Sequence, residues 1–363
     1  MGNTLGLFCF EEGYFERIWG GTKLRDLYGL DAPQGRAVGE AWLVSDHAQH
    51  ESRVACGALA GKTLRQIVQE SSGVVLGTRV QLTVHGRFPL LLKLLDSTDL
   101  LSVQVHPDDE TARRLNEPDV GKTEMWHVLH AERDSELICG LAPSVGKPEL
   151  VQAIRDGSIA ARMIRFGVKP GDSVFVPAGT VHAIGRGIVL AEIQQNSDLT
   201  YRLYDWERLQ SDGTPRPLHI EKGLEAIHFG GAHAGLSEPL TYQAKGGTCT
   251  VQAACRRFAA ETVQPAGTFE RDTHGDSFHI LLGKTGGLTV SAAGDEMPLF
   301  PGKAILVPGC HRRFTVTGAG ECLDYYVPLL ERDVVAPLRA AGYLARPILR
   351  LGGICVPPSN SSS

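Results

Sequence analysis

The sequence predicts a mainly β protein built as two related β-barrels with a few helices inserted in or packed on the first. Three observations predict it. Forty-two glycines and twenty prolines among 363 residues punctuate short apolar runs such as DSVFVPAG, GIVLAEIQ, KAILVPG and RRFTVTG. Short strand-like runs between Gly/Pro turns indicate a sandwich or barrel rather than a doubly wound α/β sheet. An internal echo supplies the second observation: 168–182 reads VKPGDSVFVPAGTVH and 299–313 reads LFPGKAILVPGCHRR. Each is preceded by a further matching piece, EMWHVLHAERDSELICG early and SFHILLGKTGGLTV late. Helical periodicity is the third, and it is sparse. Apolar residues three and four apart mark helices over Lys62–Glu70 and Lys147–Arg165, and a short turn of helix over Glu110–Leu115.

The echo divides the chain near Gly230–Pro239 (GGAHAGLSEP). Residues 1–235 form the expected catalytic domain with its helical segments. Residues 236–356 form a second, metal-free domain, and 357–363 (PPSNSSS) a disordered tail.

Composition narrows the function classes. Hydrophobic residues make up 42% and charged residues 21%, with a formal net charge of -5. That balance argues against a general nucleic-acid binder while leaving room for a local basic pocket. No apolar run reaches the ~20 residues needed to span a bilayer, and the opening MGNTLGLFCFEEGYF lacks the pattern of a signal peptide. The eight cysteines are scattered with no CxxC pair, as expected of reduced thiols in a cytoplasmic enzyme. Neither nucleic acid nor membrane is the expected partner, a pocket for a small phosphate stays possible, and the chain is expected to be a monomer or homodimer.

Chemistry concentrates in three segments. In SVQVHPDD, strand alternation puts Gln104 and His106 on one face before Pro107 ends the ladder. In KTEMW, Glu124 opens an apolar strand, and in VPAGTVH, His182 follows a tight turn. Imidazole, carboxylate and amide oxygen suit a borderline divalent ion such as Zn²⁺, and the lack of a cysteine argues against a closed structural zinc site.

These segments, with GEAWLVSDH and VPAGTVHAIGRGIVLAEIQQNSDLTYRLYDW, resemble the motifs of type I mannose-6-phosphate isomerases, a branch of the cupin superfamily. The resemblance covers most of the chain, from about Ile18-Trp19-Gly20 through the second barrel, and is to the shorter bacterial form. It implies cupin-type jelly-roll barrels and one zinc ion per chain held by Gln104, His106, Glu124 and His182, with Gln104 dispensable in some shorter members. It also implies a catalytic arginine at Arg202, preceded by an acidic residue at Glu192. The implied reaction interconverts mannose 6-phosphate and fructose 6-phosphate by moving a proton between C1 and C2. Glu192 is the first candidate for the base, and a lysine competes with it.

Three further residues belong to the expected substrate pocket. Lys93 lies inside the apolar run PLLLKLLD, where burying it without a partner is costly. Lys122 shares Glu124's face if that strand begins early enough, and Ser102 shares the face of Gln104 and His106. The plainer reading of each lysine is snorkelling to solvent, and that of Arg202 an ion pair with Asp198 or Asp205. His127 is not assigned as a ligand. The later repeat offers Ser277 or His279 and the run His311-Arg312-Arg313, and no carboxylate is expected to accompany them. A second metal group of His274, His279 and His311 is the minor alternative. Two other functions stay open: a cupin oxygenase using iron, since two histidines and a carboxylate suit that chemistry, and a non-catalytic sugar-phosphate sensor.

Overall fold

The computed structural model describes residues 5–210, 212–230 and 235–354, so the 357–363 tail and residues 231–234 of the expected boundary lie outside the described residues. The architecture is mainly β, as the glycine and proline punctuation predicts, and every strand ladder is antiparallel. Among the described residues no helix is long and apolar enough to cross a membrane.

Two sheets hold the first repeat. A six-stranded sheet runs Ser173–Val176, Glu124–Ala131, Ile188–Gln195, Leu90–Ser97, Val38–Val44, Gly13–Gly21. A five-stranded sheet runs Met163–Gly167, Glu136–Leu141, His182–Ile184, Val103–Val105, Tyr201–Tyr204. The third sheet has nine strands and holds the second repeat together with Phe8–Cys9, whose Phe8 pairs with Leu306.

Side-chain alternation explains the stacking of these layers. In Leu90–Ser97, Leu90, Leu92 and Leu94 pack with Phe258, Ile280 and Leu323 of the second repeat. Leu95 points the other way and joins Trp126, Cys139 and Ile184 between the five- and six-stranded sheets. The central strands are thus buried on both faces, which is why they read as unbroken apolar runs. On the far side of the five-stranded sheet, Val103, Val105, Val181, Ala183, Tyr201 and Leu203 pack against Leu150, Ile154 and Ala226 of two helices.

The first expected helix forms over Leu64–Leu76, started by a capping box in which Thr63 and Gln66 bond each other's backbone N–H. The short one forms over Asp109–Arg114. The expected Lys147–Arg165 helix stops at Arg155. Gly157 takes a left-handed φ of 73°, a single 3-10 turn follows over Ile159–Arg162, and Met163–Gly167 becomes an edge strand.

The echo is visible in strand register. Val176 pairs with Glu124, and Val307, at the same place in its Val-Pro turn, pairs with His279. Two residues further along those strands, Trp126 faces Glu192 and Leu281 faces Asp324. Across the next strand, Glu192 faces Lys93 and Asp324 faces Glu261. His279, Asp324 and Glu261 therefore occupy the register positions of Glu124, Glu192 and Lys93. A carboxylate does accompany His279, contrary to the sequence reading, because Asp324 arrives on a later strand with Oδ1 2.7 Å from His279 Nδ1. Among the described residues His274, His279 and His311 form no metal-ligand group: His274 lies beside Asp272, and His311 Nε2 donates to the Leu5 carbonyl at 2.6 Å.

Candidate metal centre and cavity

The alternation that turns Val103 and Val105 outward turns Gln104 inward, and Val181 and Ala183 do the same for His182. His182 pairs directly with Gln104, which also pairs with Arg202 on its other side. Glu124 and Trp126 point inward from the opposite sheet, while Met125 and His127 face the second repeat. His127 accordingly bonds Ser173, whose hydroxyl reaches Gln252 of that repeat. It is no ligand.

His106, Glu124 and His182 converge, their ligand atoms all within 4.8 Å of one another and all three residues buried. His106 Nε2 lies 3.4 Å from Glu124 Oε2, and His182 Nε2 lies 3.5 Å from Glu124 Oε1. His106 Nε2 and both Glu124 oxygens are buried without a hydrogen-bond partner. Of these, Glu124 Oε2 has the Lys122 ammonium 3.0 Å away, and the lone pairs left on His106 Nε2 and Glu124 Oε1 are costly to bury unless a cation satisfies them. The other ring nitrogens fix the tautomers: His106 Nδ1 donates to the Leu199 carbonyl at 2.7 Å and His182 Nδ1 to that of Thr180 at 2.9 Å. Burial pushes His182 down to about 3, and burial with Lys122 lowers His106. Both rings are therefore neutral near pH 7 and aim Nε2 lone pairs at Glu124, as metal-binding imidazoles do. Burial opposes ionisation of Glu124, but the Lys122 ammonium holds it well below the usual carboxylate range. The residues fit a divalent metal. Gln104 presently aims its amide nitrogen at His182 Nε2 (3.3 Å) and accepts from Ser102 through Oε1 (3.3 Å). To ligate, its amide must rotate and present the oxygen.

Gly179 sets the turn that delivers His182. Its φ is 85°, its N–H bonds the His106 carbonyl at 2.8 Å, and a Cβ there would lie 2.5 Å from His228 Cγ. Gly179→Ala should therefore cost about 1–3 kcal/mol of stability and weaken metal binding through His182. Thermal melts with metal titration check this, and an unchanged melt with unchanged affinity would refute it.

Against this group opens a cavity of about 480 Å³ lined by Lys93, Ser102, Gln104, Lys122, Glu192 and Arg202. The five residues that the sequence offers for catalysis and substrate binding thus line one space with Gln104. Lys122 precedes the strand, which begins at Glu124, yet its Nζ reaches Glu124 Oε2 at 3.0 Å and Glu192 Oε1 at 3.9 Å. Neither lysine snorkels. Lys93 Nζ lies 4.3 Å from the Trp42 ring centroid, 3.3 Å from Asp198 and 3.5 Å from Glu40. Burial is overcome by Lys93 and Lys122 at Asp198, which is held down at about 2. Glu192 accepts from Trp126 Nε1 at 3.1 Å, and its carboxyl is pushed up to about 7, first by burial and then by the charge of Glu124, against Lys122 and Lys93.

Arg202 pairs with neither expected carboxylate. Asp198 serves Lys93, and Asp205 is taken by Arg208 and Arg216 at 2.7 and 2.5 Å. Among the described residues no carboxylate lies within ion-pairing distance of Arg202, whose Nη1 donates to the Pro217 carbonyl and whose Nε is buried unbonded. Sequence reasoning missed the roles of Glu40, Asp198 and Trp126. GEAW and QQNSD flagged the first two as motif residues without showing that both reach one lysine.

Comparison with known proteins agrees with this geometry. Residues 7–127 match the family described as phosphomannose isomerase type I, catalytic domain. The chain is 46% identical over 217 residues to "Probable mannose-6-phosphate isomerase GmuF" of Bacillus subtilis, covering 60% of this chain and 67% of that protein. It is 42% identical over 221 residues to the mannose-6-phosphate isomerase ManA of the same organism, covering 60% and 67%. The crystal structure of a mannose 6-phosphate isomerase from B. subtilis superposes with a TM-score of 0.79 at 34% identity, covering 88% of this chain and 99% of that one. With the motifs, the convergent ligand group and the likeness of nearly the whole fold in agreement, this chain belongs to the type I phosphomannose isomerase family.

Proposed function

We propose that this protein is a zinc-dependent aldose–ketose isomerase that interconverts mannose 6-phosphate and fructose 6-phosphate in the cytoplasm by metal-assisted proton transfer between C1 and C2. One observation carries the reading: a buried carboxyl group, Glu192, shares a cavity with Arg202, which pairs with no carboxylate among the described residues, beside a convergent His-Glu-His group. The substrate is supported by the names of the relatives above.

His106, Glu124 and His182 hold the metal, with Gln104 as a fourth ligand once its amide rotates. Bound there, zinc supplies electrophilic stabilisation for negative charge developing on the C1 and C2 oxygens. Glu192 takes the proton from one carbon and returns it to the other, and burial, which raises its pKa above the usual carboxylate range, suits a group that must do both. The Trp126 indole fixes one Glu192 oxygen and leaves the other towards Lys122. Arg202 offers a planar guanidinium to a charged substrate oxygen. Lys93, neutralised by Glu40 and Asp198, and Ser102 shape and orient the remaining hydroxyl contacts.

A coupled assay of mannose 6-phosphate conversion, with and without chelator, tests the proposal, together with metal analysis of two variants. His182→Ala should lose both metal and activity. Arg202→Ala should keep its metal and lose about 10²-fold or more in kcat/KM. No turnover after zinc is restored, or iron with oxygen consumption in its place, would sink the isomerase reading. Equal metal loss in both variants would undo the role of Arg202.

A further inference from the structure

Outside the candidate metal centre, two thiols meet where a strand of the second repeat's sheet adjoins the first. Cys9 and Cys56 have their sulfurs 2.9 Å apart, less than an ångström beyond a disulfide bond of about 2.05 Å. The backbone already holds them in place: Phe10 bridges Val54, Ala55 donates to the Cys9 carbonyl at 2.9 Å, and Glu11 donates to that of Arg53. On its other side Cys9 pairs with Ile305 of the second repeat. Cys56 is exposed and Cys9 half-buried. A cavity of about 590 Å³ lined in part by Cys9, Glu12, Tyr14, Cys56 and Lys303 gives a small molecule room to reach them. The remaining described cysteines lack such a neighbour.

We infer that Cys9 and Cys56 form a redox-modifiable pair that low-molecular-weight disulfides convert to an intramolecular disulfide, tying the strand that joins the second repeat to the first. In the first step the exposed Cys56 gives up its proton to solvent and attacks one sulfur of the small disulfide, whose S–S bond breaks and releases one thiol. Cys9 then loses its proton and attacks Cys56 Sγ, expelling the second thiol. Two protein thiols are oxidised and one small disulfide is reduced to two thiols. Burial, with Cys56 alongside, pushes the Cys9 thiol up to about 12, which assigns the first attack to Cys56 and the resolving role to Cys9.

The test treats the full chain with oxidised glutathione, blocks thiols with an alkylating agent under denaturing conditions, and maps peptides without reduction. Two of the eight thiols should disappear, with one cross-linked peptide joining Cys9 to Cys56 and the chain lighter by two hydrogens. Cys9→Ser should instead retain glutathione on Cys56, and Cys56→Ser should give neither product at these positions. Eight unreacted thiols, a lasting adduct on Cys56 of the unaltered protein, a disulfide-linked dimer, or a different pair would each overturn the inference.

Discussion

Replacing Glu192 by glutamine is expected to lower kcat/KM for mannose 6-phosphate by about 10²–10⁴-fold, the range for losing a general acid–base group, with metal content unchanged. The substitution keeps the shape and the acceptor for Trp126 Nε1 but removes the group that exchanges a proton. Metal content holds because Glu192 touches none of the ligand atoms; its neighbours are Trp126 and Lys122. The pH profile is the second readout. The base form of Glu192 grows as pH rises through its pKa, so kcat/KM should climb with pH on an acidic limb at or below about 7. It lies below that value when metal is bound, since a cation beside Glu124 offsets one of the charges that push Glu192 up. In the glutamine variant this limb should vanish. A limb that persists unchanged, with activity within a few-fold of the unaltered enzyme, would assign the proton transfer elsewhere, with Lys122 next in line.

How far the sequence carries towards this site depends on how each residue is placed. Gln104, His106 and His182 are legible because period-two alternation is local: Val103 and Val105 are visibly core residues, so their neighbour must face the other way. Glu124 is legible for the same reason beside Met125. Lys122 is less so, because the strand starts after it and only the folded chain shows its ammonium doubling back to Glu124. Charge pairing is the least legible feature. Asp198 and Asp205 lie four before and three after Arg202, yet Lys93, 105 residues from Asp198, claims one, and Arg208 and Arg216 claim the other. Partner choice is set by which strands are adjacent, and linear distance says little about that. The long helix expected over Lys147–Arg165 failed at Gly157, where a left-handed glycine outweighed an amphipathic pattern that continues past it.

The second repeat carries a different set of charges at the register positions of the candidate metal centre. At the register positions of Glu192 and Lys93 stand Asp324 and Glu261, two fully buried carboxylates on adjacent strands. Left alone they would repel each other in a medium that stabilises neither. Arg271 lies between them, its Nη2 2.5 Å from Glu261 and 3.2 Å from Asp324, while Tyr326 and Tyr242 hydroxyls donate to Glu261 and His279 meets Asp324. A guanidinium thus gives this interior its cation. Arg271→Met removes the charge with little change in volume and strands both carboxylates, so it should cost about 3–5 kcal/mol of stability, the range for breaking a buried ion pair from one side. Urea denaturation measures it. Two further results distinguish lost charge from lost packing. The deficit should narrow as pH falls, because a stranded buried carboxylate relieves its penalty by taking up a proton, so the variant's stability declines as pH rises. Adding Glu261→Gln and Asp324→Asn to Arg271→Met should recover part of the loss, which no packing defect would allow. A deficit under 1 kcal/mol, or one insensitive to pH and unrelieved by the amides, would mean that Arg271 is not what balances these two carboxylates.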